Sequence, residues 1–201
     1  FEGVGVHMSK GGSLPEYEHQ YLQGLSGYAL REAWSALVDE TADAYRALDP
    51  SVRVPWAGPS MSARSAISAR QMETWAHGQE VFDILGVARE ERDRIRNIVV
   101  LGINTYGWTF KVRGETPPGP MPLVELTSPS GALWTYGEPQ DGSVIRGEAV
   151  EFAQVVTQTR NIADTHLTVV GECARRWMQS AQCFAGGANP PPPQGSRFKT
   201  E

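Results

Sequence analysis

The sequence predicts an α+β protein, a helical first half followed by a smaller mixed half. Three observations predict it. Leu30, Trp34, Leu37, Val38, Tyr45 and Leu48 recur at helical spacing up to Asp49-Pro50, the pattern of an amphipathic helix. From Ser62 to about Leu85 a second long helical stretch runs between a capping serine and a terminating Gly86. After Trp108 the period changes and turn signals cluster, as they do where short strands pair.

In chain order, Leu14 to Leu25 reads as a short helix with Pro15 early in it. Ser26 stands at the N-cap of the next. Val52 to Ser60, with Pro55, Gly58 and Pro59, reads as an ordered loop around Trp56, which needs a place to bury. The Ser62 helix follows, then one over about Glu90 to Tyr106 with Ile95, Ile98, Val99 and Ile103 on one side. Thr109 to Arg113 alternates like a strand. Leu123 to Thr127 and Leu133 to Tyr136 flank Ser128-Pro129-Ser130-Gly131, a hairpin signal. Further strands are expected at Ser143–Arg146 and Thr165–Val170, and helices at Glu148–Arg160 and Glu172–Phe184. The expected divisions are a helical part over 1–107, an α+β part over 108–185, and a disordered Pro-rich tail over 186–201.

Composition excludes several roles. With a net charge of −5 and scattered basic residues there is no electrostatic footprint for nucleic acid. No apolar run approaches the roughly 20 residues that span a bilayer. The two cysteines, Cys173 and Cys183, would lie roughly 15 Å apart on one helix, beyond the reach of about 7 Å for a disulfide. Free thiols suit a reducing cytoplasm, which is the expected location. The chain opens on Phe1 rather than Met, in a Gly-rich stretch without the charged and apolar regions of a signal peptide, and an N-terminal segment is expected to be missing.

The candidate site lies on the Ser62 helix. Taking 100° per residue from Glu73, the residues Ser62, Ala66, Ala69, Ala76, His77, Glu80 and Ile84 fall within about 60° of it. This face is mostly small and apolar, yet broken by two carboxylates and an imidazole, which must be paired or bound to something if covered. Glu73 and His77 are four residues apart, so their side chains overlie and can meet one divalent ion. Glu80 is placed to orient the imidazole or hold a proton. On spacing alone, a surface ion pair or a satisfied core histidine is the commoner outcome. Trp75 and Phe82 form a second ridge, suited to packing within the chain or to a homodimer contact.

The long run Val54-Pro55-Trp56-Ala57-Gly58-Pro59-Ser60-Met61-Ser62-Ala63, followed by Met72-Glu73-Thr74-Trp75-Ala76-His77-Gly78-Gln79-Glu80, resembles an actinobacterial group of metal-binding proteins. That group belongs to the DinB and mycothiol-dependent maleylpyruvate isomerase superfamily. The resemblance extends from about Leu22 to Phe184 and includes Trp134-Thr135-Tyr136-Gly137 and Val155-Val156-Thr157-Gln158. It implies a four-helix bundle, here with its first helices partly missing, and a small sterol-carrier-like C-terminal domain. It implies a metal, usually zinc, held by His, Glu and His. Glu73 and His77 match the Glu-x-x-x-His part. The first histidine of that set, from an earlier helix ending in His-Leu, has no counterpart: His7, His19 and His166 stand in other contexts.

The resemblance further implies a mycothiol-like small thiol as cofactor and an electrophilic or anionic substrate, in an isomerase or S-transferase reaction. Arg160 and Arg70 are then the candidate anion partners, Arg160 with Glu80 in the catalytic set, and Arg70 with Trp56 beside the cofactor. The alternatives are a metal-stabilised or small-ligand-binding protein without turnover and, through a link of some group members to a wyosine base formation domain, a role in tRNA modification. The chain lacks the Cys-x-x-x-Cys-x-x-Cys ligation pattern and the basic face that the last role requires.

Overall fold

The computed structural model describes residues 2–56, 60–140 and 142–197. The chain divides into two compact units, residues 1–67 and 68–201, so the boundary expected after residue 107 falls inside the second unit. The α+β class holds: eight α-helices and six strands lie among the described residues, with the first part helical.

In the first unit, α1 (Glu2–Ser9) packs on α2 (Leu14–Tyr21), where the His7 and Tyr17 rings lie 5.6 Å apart. Helix α2 starts on a capping box formed by Ser13 and Glu16. Ser13 Oγ accepts from Glu16 N at 3.4 Å, and Glu16 Oε2 accepts from Ser13 N at 2.8 Å. Helix α3 (Gly27–Ala47) carries the expected amphipathic pattern. Ser26 occupies its N-cap position without a side-chain capping bond, and no residue of α3 is buried. Arg53–Val54 (β1) and Met61–Ser62 (β2) pair antiparallel across the expected loop, whose residues 57–59 lie outside the described residues. Trp56 in that loop is half-buried.

Helix α4 (Ala63–Leu85) begins where Ser62 Oγ accepts from Ser65 N at 3.2 Å. It ends at Gly86, whose positive φ of 64° lets Val87 N reach back to the Phe82 carbonyl at 3.1 Å. Both ends are where the sequence placed them.

The second unit is built on a four-stranded sheet in the order β4-β3-β5-β6, from β3 (Leu123–Thr127), β4 (Leu133–Tyr136), β5 (Val144–Glu148) and β6 (Thr168–Val170). β3 pairs antiparallel with β4 through the expected hairpin and parallel with β5. One face is dry: Val124, Leu126 and Ile145 are fully buried under Ile98 and Val99 of α5 (Arg96–Asn104), Phe152 of α7 (Ala149–Val156) and Trp177 of α8 (Glu172–Ser180). The other face carries the Arg146–Glu125 ion pair at 2.6 Å. This is the inside–outside alternation of a sheet with one solvated side.

Two expectations fail locally. Thr109–Arg113 is not a strand; its first three residues end α6 (Tyr106–Lys111) and the other two form the turn after it. Five alternating residues are too few to fix a period, and helical spacing lets Tyr106 and Phe110 pack together edge-on, with Tyr106 also edge-on to Trp177. The helix expected to reach Arg160 stops at Val156. There Thr157 Oγ1 bonds the Ala153 carbonyl at 2.8 Å, and Gln158 takes a left-handed φ of 58°, which breaks the helical path. The last helix likewise stops at Ser180, so Cys183 lies beyond it; both cysteines are free thiols.

Residues 186–197, expected to be a disordered tail, are fastened down as far as they are described. Asn189 Nδ2 donates to Gln158 Oε1 at 2.9 Å, and Gln158 Nε2 returns a bond to the Asn189 carbonyl at 2.9 Å. Gln182 Oε1 accepts from Asn189 N, Asn161 Nδ2 donates to the Pro192 carbonyl at 2.8 Å, and Asp164 accepts from Gly195 N at 3.0 Å. Gln158 and Gln182 are buried, and buried amides require such partners. The segment is a strap. Composition reads Pro and Gly as disorder because it sees no core, whereas here the partners are side chains far along the chain.

Candidate functional site

Helix α4 sets the spacing of the candidate site. One turn apart on it, Glu73 Oε2 and His77 Nε2 lie 3.5 Å from each other. One turn further, Glu80 Oε2 lies 3.6 Å from the other ring nitrogen, Nδ1. The imidazole thus stands between two carboxylates. It is 74% exposed, against 53% for Glu73 and 39% for Glu80, so the face is open rather than closed over by a neighbouring helix.

These residues form one wall of a cleft of about 440 Å³ within the second unit. The opposing walls are the Thr157–Thr159 turn after α7, Phe184, and strap residues Asn189 to Pro193 with Arg197. Arg197 Nη1 reaches Glu80 Oε1 at 2.8 Å. The turn and the strap were not foreseen as site elements. The only sequence hint was Val155-Val156-Thr157-Gln158 among the runs that carried the resemblance.

A tetrahedral zinc at about 2.05 Å from each of two ligands holds them about 3.3 Å apart. The separation of Glu73 from His77 fits that edge with little movement. Among the described residues, no group of three or more His, Cys, Asp or Glu side chains is placed to hold a metal ion. Glu80 faces the far nitrogen of the same ring, which is the place of a supporting group rather than of a ligand. His7 pairs with Glu16 and His166 with Glu151.

Arg160 was expected in the catalytic set as an anion partner. It is 6% exposed, is absent from the cleft lining, and forks onto Asp83 of α4, with Nη1–Oδ2 at 2.6 Å and Nη2–Oδ1 at 2.5 Å. Gln79 Nε2 adds a bond to Asp83 Oδ1 at 2.9 Å. A buried guanidinium is held by the nearest buried carboxylate, because either charge alone would be costly to desolvate. Arg70 is exposed on α4 and outside the cleft lining. The Trp75 and Phe82 ridge is covered from within the chain. The Arg89 guanidinium lies 5.2 Å from the Trp75 ring and 5.3 Å from that of Phe82, and the Trp75 indole donates to Glu91 at 3.0 Å. Burial lowers the Arg89 pKa against the opposing pull of Glu91.

Residues 7–82 match the family model of the mycothiol maleylpyruvate isomerase N-terminal domain, a stretch that includes Glu73, His77 and Glu80. Two Mycobacterium tuberculosis proteins, uncharacterized protein MT0041 of strain CDC 1551 / Oshkosh and uncharacterized protein Rv0036c of strain ATCC 25618 / H37Rv, are each 44% identical over 143 residues. The aligned part is 71% of this chain and 54% of theirs, so the chain spans about half the length of the curated relatives it matches. No solved structure matches. Among the described residues, no helix is long and apolar enough to cross a membrane.

Proposed function

We propose that this chain, whose residues 7–82 match the mycothiol maleylpyruvate isomerase N-terminal family, binds a divalent metal ion, zinc foremost, through Glu73 and His77. The observation that carries the reading is the 3.5 Å chelating separation of Glu73 Oε2 and His77 Nε2 at the wall of a cleft of about 440 Å³. A third ligand would come from outside the described residues or from a bound small molecule.

The chemistry proposed for the cleft is thiol-dependent isomerisation or S-transfer. A zinc ion lowers the pKa of a thiol it binds toward neutrality and so supplies a nucleophile. The chain's own groups would do the rest. His77 would present Nε2 to the ion, with Glu80 Oε2, 3.6 Å from Nδ1, placed to orient the ring. Phe184 and the Pro190–Pro193 run offer an apolar wall that limits water beside the reacting groups. Arg160, clamped on Asp83, has a structural role in this scheme.

The test is the metal content of the purified protein beside Glu73→Ala and His77→Ala. The expected result is about one zinc per wild-type chain, lost in both variants. Wild-type protein that stays metal-free with zinc in excess would sink the reading. Turnover of a maleyl-type substrate that depends on added thiol separates the enzyme from a protein that only binds the metal.

A further inference from the structure

We infer that strap residues 186–197 are a working wall of the cleft, and that Arg197 is a positioning residue which sets His77 through Glu80. The consequence for a metal rests on the proposed function; the geometry does not.

The chain of contacts is continuous. Arg197 Nη1 holds Glu80 Oε1 at 2.8 Å, Glu80 Oε2 lies 3.6 Å from His77 Nδ1, and His77 Nε2 lies 3.5 Å from Glu73 Oε2. Glu80 has two oxygens and two neighbours. With Arg197 on one oxygen, the other is left to the imidazole. Glu80 then stands on the Nδ1 side of the ring, and Nε2 is left to the side of Glu73. Without Arg197, a half-exposed glutamate on a helix is free to turn into solvent, and the ring loses its orienting partner.

Arg197 reaches that spot because the strap is held at several points along it. The Gln158–Asn189 amide pair exchanges two bonds of 2.9 Å, Asn161 holds the Pro192 carbonyl, and Asp164 holds Gly195 N. Between these points the proline run has few conformations to lose on docking. The amides sit in the turn after α7 and in the segment after α8, so the second unit's core fixes the wall opposite α4.

The test uses the whole chain with Arg197→Gln, Arg197→Lys, Asn189→Ala and Glu80→Gln, plus the Arg197→Gln/Glu80→Gln double variant. Two quantities are read. One is the ¹⁵N shift of the His77 ring nitrogens in metal-free protein. The other is zinc affinity against a chromophoric chelator. Arg197→Gln and Asn189→Ala are expected to move the His77 ring signals from their wild-type positions, Arg197→Lys largely restores them, and zinc affinity falls roughly 10-fold in Arg197→Gln, as when an outer partner of a metal-bound histidine is lost. In the Glu80→Gln background, Arg197→Gln adds no further loss. Wild-type ring shifts and affinity in Arg197→Gln would overturn the inference while leaving the metal reading intact. Ring shifts that depend on Arg197 in a protein that binds no zinc would do the reverse.

Discussion

Replacing Arg160 by alanine strips Asp83 of a two-pronged partner in a place with little water. The side chains are 7% and 14% exposed, and both guanidinium contacts are 2.6 Å or shorter. Removing one member of a buried pair costs about 3–5 kcal/mol, because the remaining charge stays desolvated. Gln79 still donates one bond to Asp83, and the carboxylate keeps some access to solvent, so Arg160→Ala is expected near the lower end, at about 3 kcal/mol. Arg160→Lys keeps the charge but not the fork and is expected to cost about 1.5–3 kcal/mol. Replacing the pair together, Asp83→Leu with Arg160→Met, is expected to be close to neutral, since no charge is then left buried. Urea denaturation followed by tryptophan fluorescence measures all of these. The transition of the second unit is followed separately where two appear. Arg160→Ala within about 1 kcal/mol of wild type would refute the reasoning. So would a double variant that falls as far as the single one. An arginine serving only a substrate anion would instead lower turnover and leave the denaturation midpoint in place.

Three further outcomes are expected. Gly102→Ala lowers stability by about 1–3 kcal/mol despite the better helix propensity of alanine: an added Cβ would lie 2.8 Å from Val156 Cγ2 and 3.1 Å from Phe152 Cε1, where α5 crosses α7, and a thermal melt reads the loss. In native protein a thiol reagent modifies the half-exposed Cys173, while the buried Cys183, whose thiol pKa is raised by burial and then by the charge of Glu73, reacts only at the rate of opening; equal rates for the two would contradict the burial. Asp93 accepts from Ser130 Oγ at 2.6 Å and Ser130 N at 3.0 Å, which holds its pKa below the ordinary value of about 3.9. Its contribution is therefore complete above that ordinary value and lost as pH falls through the lowered one. Asp93→Asn should flatten the acid side of the stability curve below the ordinary carboxylate range, and an unchanged slope counts against the assignment.

What the sequence determined by itself is whatever local periodicity and end signals control. The long helices α3 and α4, the Ser62 cap, the Gly86 stop and the β3–β4 hairpin follow from side-chain spacing and from turn residues that need no distant partner. Glu73, His77 and Glu80 were legible for the same reason, since residues on one helix face keep their spacing whatever surrounds them. Tertiary structure decided the rest. Thr109–Lys111 turned from strand to helix because Tyr106 and Phe110 pack among distant aromatic residues. Arg160 found its partner in Asp83, 77 residues away. The Pro-rich tail became a strap because Gln158, Asn161, Asp164 and Gln182 supply its hydrogen bonds. In each case the deciding energy is desolvation or burial against residues remote in sequence, and a local reading contains no record of which side chain those partners will be.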